Sequence, residues 1–93
     1  MSVAVYFHRV IDFERDRPVW IQVAEALRER IERGTYLPRH LIPSEVQMVQ
    51  EFGIARGTAR KVVAYLREEG LVYTVPQIGS FVSPGGESAV EKG

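Results

Sequence analysis

The stretch from Ser44 to Leu66, SEVQMVQEFGIARGTARKVVAYL, leaves this chain few ways to fold. Ser44 and Gln47 stand at the spacing of a capping box, in which the serine hydroxyl accepts from the backbone N–H three residues on and the glutamine reaches back to the serine N–H. Val46, Val49 and Met48 or Phe52 then supply a buried side, and Gly53 closes the helix after only about eight residues. Ile54 packs inward at the turn. A second helix starts at about Arg56 and runs to Glu69, with Gly70 as its cap. At 100° per residue, Thr58, Ala59, Val62, Val63 and Leu66 fall within an arc of about 140°, which predicts its core face. Arg56, Arg60 and Arg67 lie together at one edge of that arc, while Gly57, Lys61 and Ala64 cover much of the opposite face.

Charge sets this second helix apart. The chain has 12 basic and 12 acidic side chains and no net charge, yet residues 54–67 hold four basic groups and no acid. Affinity for nucleic acid comes from local neutralisation of phosphate, so the distribution of charge matters more than its sum. The ordinary explanation of a basic helix face is solvation. Three features weigh against it here: the first two turns lack an acid, the side chains between the arginines are small enough for close approach, and the helix follows directly on a capped short helix and a Gly turn. The simplest use of such an element is to lie against nucleic acid.

The flanks complete the plan. From Pro18 to Arg33, Trp20, Val23, Ala24, Leu27 and Ile31 recur every three or four residues and predict an amphipathic helix ended by Gly34, with Glu25–Arg28 and Glu29–Arg33 pairs on its solvent side. Residues 35–43, TYLPRHLIP, read as a connector pinned to the core by Tyr36, Leu37 and Leu41 or Ile42, with Arg39 and His40 exposed. Leu71 to Val75, a turn at Pro76 to Gly79, and Ser80 to Ser83 read as a two-stranded hairpin. Residues 3–13, VAVYFHRVIDF, suit a short strand. Residues 84–93, PGGESAVEKG, have the composition of a disordered tail. The expected organisation is an N-terminal extension over 1–17, a domain over 18–83 and a tail over 84–93. Its class is mainly α with a small β-hairpin.

Several function classes drop out. Ninety-three residues allow one small domain. The absence of cysteine excludes a disulfide framework and any thiolate zinc site. No apolar run approaches the roughly 18 residues of a membrane span, and the polar, early-acidic N-terminus is no signal peptide, so a cytoplasmic protein is expected, with no membrane partner. His8 and His40 lie in separate segments and the carboxylates are scattered among basic partners, so no triad, paired-acid or metal-ligand spacing exists. Neither catalysis nor a metal nor a cofactor is expected, and no small-molecule effector site is evident.

Three helices followed by a hairpin is the order of a winged helix-turn-helix. At this point the sequence resembles the DNA-binding domain of GntR-type bacterial transcription regulators. The resemblance runs from about Pro18 to Val82 and is carried by PVWIQVAEALRERIERG, by IPSE at the start of the second helix, by EFGIARGTARKVVAYLREEGLV, and by GSFV at the close of the wing. It implies a sequence-specific transcription regulator, more often a repressor, that sets helix 54–69 in the major groove of double-stranded DNA and wing 75–82 on the adjacent minor groove or backbone. It places Arg56, Thr58 and Arg60 among the DNA-contacting residues. Arginine pairs in bidentate fashion with guanine O6 and N7 or clamps a phosphate, and first-turn amides with a threonine hydroxyl suit a phosphate oxygen. The full candidate set is Ser44, Arg56, Gly57, Thr58, Arg60, Lys61, Gln77 and Gly79.

The chain also departs from that pattern. Ala55 stands where the family has Ser or Thr, and loss of that cap costs roughly 0.5–2 kcal/mol. Gly57 replaces the usual Thr and loosens the first turn by up to about 1 kcal/mol relative to Ala. Val46 replaces a basic residue, and Gln77 replaces the first glycine of a Gly-x-Gly wing tip. The expected first turn is therefore one that firms up on phosphate. These departures also leave a second reading, a winged protein-interaction module with little DNA binding. Family members usually carry a C-terminal ligand-binding and dimerising domain, absent from this sequence, which reads as a stand-alone module or a fragment. A homodimer is expected, through residues 3–13 or the Trp20 helix, because specific sites usually need two half-sites.

Overall fold

A computed structural model of the chain describes residues 13–84. Apart from Phe13 and Pro84, the expected N-terminal strand and C-terminal tail lie outside the described residues. The elements are α1 (Val19–Glu32), α2 (Glu45–Phe52), α3 (Arg56–Glu68), β1 (Val72–Val75) and β2 (Gly79–Val82). The strands pair antiparallel, from Val72 opposite Val82 to Val75 opposite Gly79. This is the expected winged helix-turn-helix, with three helices and a two-stranded hairpin.

Each helix ends as its sequence dictates. Pro18 takes the N-cap position of α1 rather than its first turn. At the other end, the Gly34 N–H donates to the Ile31 carbonyl (3.1 Å) and the Thr35 N–H to the Arg30 carbonyl (2.9 Å), the paired bonds of a Schellman motif. α3 ends the same way, with Gly70 N–H to Arg67 (3.0 Å) and Leu71 N–H to Leu66 (2.9 Å). Both halves of the capping box form at α2: Gln47 N–H donates to Ser44 Oγ (3.1 Å), and Ser44 N–H donates to Gln47 Oε1 (2.8 Å). The N-cap of α3 is Ala55, whose side chain accepts nothing.

One core joins the elements. Leu27 and Val23 of α1, Met48 of α2, and Val62 and Leu66 of α3 are fully enclosed, and Val72 and Val82 of the hairpin close the end. Ile54 is buried at the turn as its position predicts. Val46 differs from expectation and is 48% exposed. At 100° per residue it lies about 160° round the helix from Met48 and about 120° from Phe52, so once those two face the core Val46 faces out. In the connector Ile42 is buried and Tyr36 partly so, whereas Leu37 and Leu41 are exposed.

The connector also joins the sheet, which its sequence does not suggest. Arg39 N–H donates to the Val82 carbonyl (2.8 Å), Val82 N–H to His40 (2.9 Å), and Ile42 N–H to Ser80 (2.9 Å). Leu41 bridges Phe81 as a strand one residue long. Pro38 and Pro43 frame this segment and hide it, since neither proline has an N–H for a ladder.

Two polar side chains bind the frame from within. Arg30, in the last turn of α1, donates through Nη1 to the Tyr36 hydroxyl (2.7 Å) and to Glu51 Oε1 (3.3 Å), and pairs through Nη2 with Glu51 Oε2. Its guanidinium carbon lies 5.3 Å from the centre of the Phe52 ring. The hydrogen bond to Glu51 outweighs burial and raises the guanidinium above its usual pKa. Gln22, nearly buried, accepts from Glu14 N–H (2.8 Å) and donates to the Glu14 and Arg17 carbonyls (2.9 Å each). The charged turn before α1 is thus strapped to it. Glu29–Arg33 forms as expected at 3.5 Å. Glu25 instead pairs with Arg17 (2.6 Å), and Arg28 turns to Glu32 (3.4 Å) and the Tyr65 hydroxyl (3.1 Å).

The wing turns at Pro76 and Gln77, closed by Ile78 N–H to the Val75 carbonyl (3.0 Å). Gln77 has φ 68°, the left-handed region that a type II turn requires at its second central position and that glycine fills without strain. Gly79, with φ 143°, has a further constraint: a Cβ there would stand 2.8 Å from Leu41 Cδ2.

Two stability measurements follow from this frame. Arg30→Ala removes a part-buried ion pair, a tyrosine hydrogen bond and a stack on Phe52, and should cost about 2–3 kcal/mol in urea unfolding. Gln77→Gly relieves a left-handed residue worth about 1–2 kcal/mol, less about 0.5–1 kcal/mol of glycine chain entropy, and should raise the thermal midpoint.

Candidate nucleic-acid interface

The exposed basic residues are laid out by the start of α3. Arg56 is its first residue and is 61% exposed, with Nε 3.9 Å from Glu45 Oε1 in the first turn of α2. Arg60 follows one turn later, also exposed, and makes no ion pair among the described residues. Between them Gly57 faces open space: a Cβ built there would meet no heavy atom of the described residues within 4 Å. No packing constraint therefore calls for glycine at this point, and its effect is a bare stretch of backbone between two arginines. Thr58 is partly buried beside it. Ala55 and the acid-free first turn leave the α3 amides and the positive end of the helix dipole uncompensated.

A cleft of about 400 Å³ opens between the front of α2, the edge of α3 and the wing. Ser44, Arg56, Gln77 and Gly79 of the expected set line it. The Ser44 oxygen already accepts from Gln47, so the hydroxyl retains its proton for donation outward. Gln77, at the wing tip, is exposed. Gly79 contributes a close backbone approach to Leu41 rather than a side chain.

Lys61 is not brought into this group. Its ammonium lies 4.9 Å over the Trp20 ring, and Trp20 in turn meets Tyr65 edge-on with centroids 5.6 Å apart. The lysine therefore faces the α1 side of the domain. The cleft instead gains residues absent from the expected set: Arg67, Thr74, Ser80 and the exposed Val46. Arg67 Nη1 donates to Thr74 Oγ1 (3.2 Å), and the Thr74 and Ser80 hydroxyls are 2.8 Å apart. The helical phase of Arg67, between those of Arg56 and Arg60, is a signal present in the sequence. The Thr74–Ser80 pair needs the hairpin register, which depends on where the turn falls.

Comparisons with known proteins fit this geometry. Residues 21–82 match the family described as bacterial regulatory proteins, gntR family. The chain is similar to a histidine utilization repressor of Klebsiella aerogenes, 36% identical over 74 residues, covering 78% of this chain and 31% of that protein. It is similar to the HTH-type transcriptional repressor NagR of Bacillus subtilis (strain 168), 38% identical over 66 residues, covering 71% and 27% respectively. The chain thus spans less than a third of the length of these curated relatives. Among solved structures, AraR(DBD) in complex with operator ORE1 superposes with TM-score 0.71 at 37% identity, over 78% of this chain and 89% of that one. A GntR family transcriptional regulator from Listeria monocytogenes shares the fold at TM-score 0.75 and 21% identity, over 86% and 75%. With a family match across the helices and wing, and the same fold in a relative this similar in sequence, the chain belongs to the GntR family of bacterial regulatory proteins.

Proposed function

We propose that the chain is a sequence-specific DNA-binding module of a transcription repressor, acting on double-stranded DNA as a homodimer in the cytoplasm. The observation that carries this reading is the pair Arg56 and Arg60, both exposed at the start of α3 with bare backbone at Gly57 between them. It is supported by relatives named as repressors and by a structural neighbour bound to an operator. No helix among the described residues is long and apolar enough to cross a membrane.

In this reading the first two turns of α3 enter the major groove. Arg60 pairs with a guanine edge through its fork of donors, and Arg56, released from Glu45, takes a base or a phosphate. The α3 amides, Thr58 and Ser44 meet phosphate oxygens and fix the register. Gln77 at the wing tip donates to a minor-groove acceptor or a phosphate. Lys61, over the Trp20 ring, is left out of this set of contacts. One domain makes few base contacts, so two copies on a two-fold-related pair of half-sites give the selectivity that one lacks. The expected interfaces are the Trp20 helix α1 and residues 3–13, and of the latter only Phe13 lies among the described residues.

Selection of bound sequences from a random DNA pool tests the whole reading. A recovered motif of paired half-sites with a guanine at a fixed position supports it, and failure to enrich any sequence overturns it. At the selected site Arg60→Ala should cost roughly 1–3 kcal/mol and relax one base position. Gly57→Ala should have opposite effects on its two readouts. The folded domain gains about 0.5–1 kcal/mol from the better helix former, while DNA affinity falls because a methyl group now separates backbone from phosphate. An affinity equal to the parent's would mean that DNA does not approach the helix at Gly57.

A further inference from the structure

A domain that sets a helix in the major groove and a wing on the adjacent minor groove must straddle the strand that separates the two grooves. The cleft between α3 and the wing is where that strand has to lie. Resting on the DNA-binding reading above, we propose that this cleft seats one phosphate of the intervening strand, with Arg67 as its ligand and the Thr74–Ser80 hydroxyl pair as the device that aims the guanidinium.

Position comes first. Arg67 lies 11 residues beyond Arg56, three turns along, so it shares the helical edge of Arg56 and Arg60 about 16 Å further down the axis. A recognition helix whose first turns reach base edges leaves its later turns near the backbone. Arg67 is exposed and makes no ion pair among the described residues, in contrast to Arg28, Arg30 and Arg33, which pair with Glu32, Glu51 and Glu29. Among the described residues its one hydrogen-bond partner is Thr74 Oγ1, a neutral group that occupies one of five N–H donors. The fork is held at the wing and four donors remain.

The hydroxyl pair adds a donor. Thr74 and Ser80 face each other across the hairpin, and their oxygens share one hydrogen bond of 2.8 Å. Two hydroxyls carry two protons, and that bond uses one. Thr74 already accepts from Arg67, so whichever oxygen donates within the pair, one O–H is left to donate outward. A cation with spare donors beside a free hydroxyl proton is complementary to a phosphate diester oxygen. Glu45, the one acid among the described residues lining the cleft, faces Arg56 at 3.9 Å. Val63 and Val75 line the same cleft and keep water from part of it, which strengthens the attraction.

The test is a salt titration on a random-sequence duplex of about 30 base pairs, read by fluorescence anisotropy. Each phosphate neutralised contributes about −0.9 to the slope of log affinity against log salt. Arg67→Gln keeps an N–H donor for Thr74 but removes the charge. It should reduce the slope by about 0.9, so that between about 50 and 200 mM salt its affinity falls about 3.5-fold less than the parent's. Arg67→Lys should retain the slope. Thr74→Val, which frees the guanidinium but keeps its charge, should weaken binding about two- to threefold at an unchanged slope. A parent that binds steeply with salt while Arg67→Gln retains the full slope overturns the proposal and reduces Arg67 to a brace for the wing. Thr74→Val with parental affinity removes the aiming role. A parent that binds no duplex even at about 50 mM salt overturns the DNA reading itself, and the phosphate seat with it.

Discussion

The guanidinium of Arg30 ties α1, the connector and α2 together at one point. α2 is eight residues long, too short to persist as a helix on its own. Its stability comes from the capping box at Ser44, from Met48 and Phe52 in the core, and from Glu51 on Arg30. The same guanidinium anchors Tyr36, the second residue of the connector, and stacks on Phe52, one residue before the turn. Because Gly53 to Ala55 are the only residues between α2 and α3, the placement of α2 sets the direction in which Arg56 leaves the domain. An interaction between α1 and the end of α2 thus helps set where the basic helix begins.

The basic residues divide by partner rather than by position in the sequence. Arg28, Arg30 and Arg33 are committed to carboxylates and serve the frame. Lys61 is committed to Trp20. Arg56, Arg60 and Arg67 remain along one edge of α3, held at most by a 3.9 Å contact to Glu45 or by a hydroxyl. A chain of zero net charge can therefore present a strongly positive strip, because six acids of the described residues, Glu14, Glu25, Glu29, Glu32, Glu51 and Glu69, pair within the fold and leave this edge alone.

Local sequence signals carried much of this structure. The capping box, the glycine stops and the three-and-four spacing of apolar residues act within a few residues of chain, so helices, turns and most of the core were legible. Arg56 and Arg60 were legible for the same reason. What was hidden depends on contacts between distant segments. Gln22 looks like an exposed helix residue until the turn at Glu14 to Arg17 folds over it. Arg30 looks solvated until Glu51 arrives. The helical wheel separates Arg67, at the arginine edge, from Lys61 on another face, but it does not supply their partners, Thr74 for one and Trp20 for the other, which come from distant segments.

The three backbone bonds between residues 39–42 and β2 mean that the wing is no free flap. Its second strand is laced to the very segment that runs, through Pro43, into the cap of α2. Wing, connector and helix start form one stiff body, and Leu41 wedged against Gly79 denies it a hinge at the natural place. Such a body spends little conformational entropy on docking, but it has little give. On the proposed DNA-binding reading, any mismatch between the spacing of helix and wing and the spacing of the grooves would fall on the duplex, which would favour sequences whose steps bend or narrow easily at base pairs the protein does not touch.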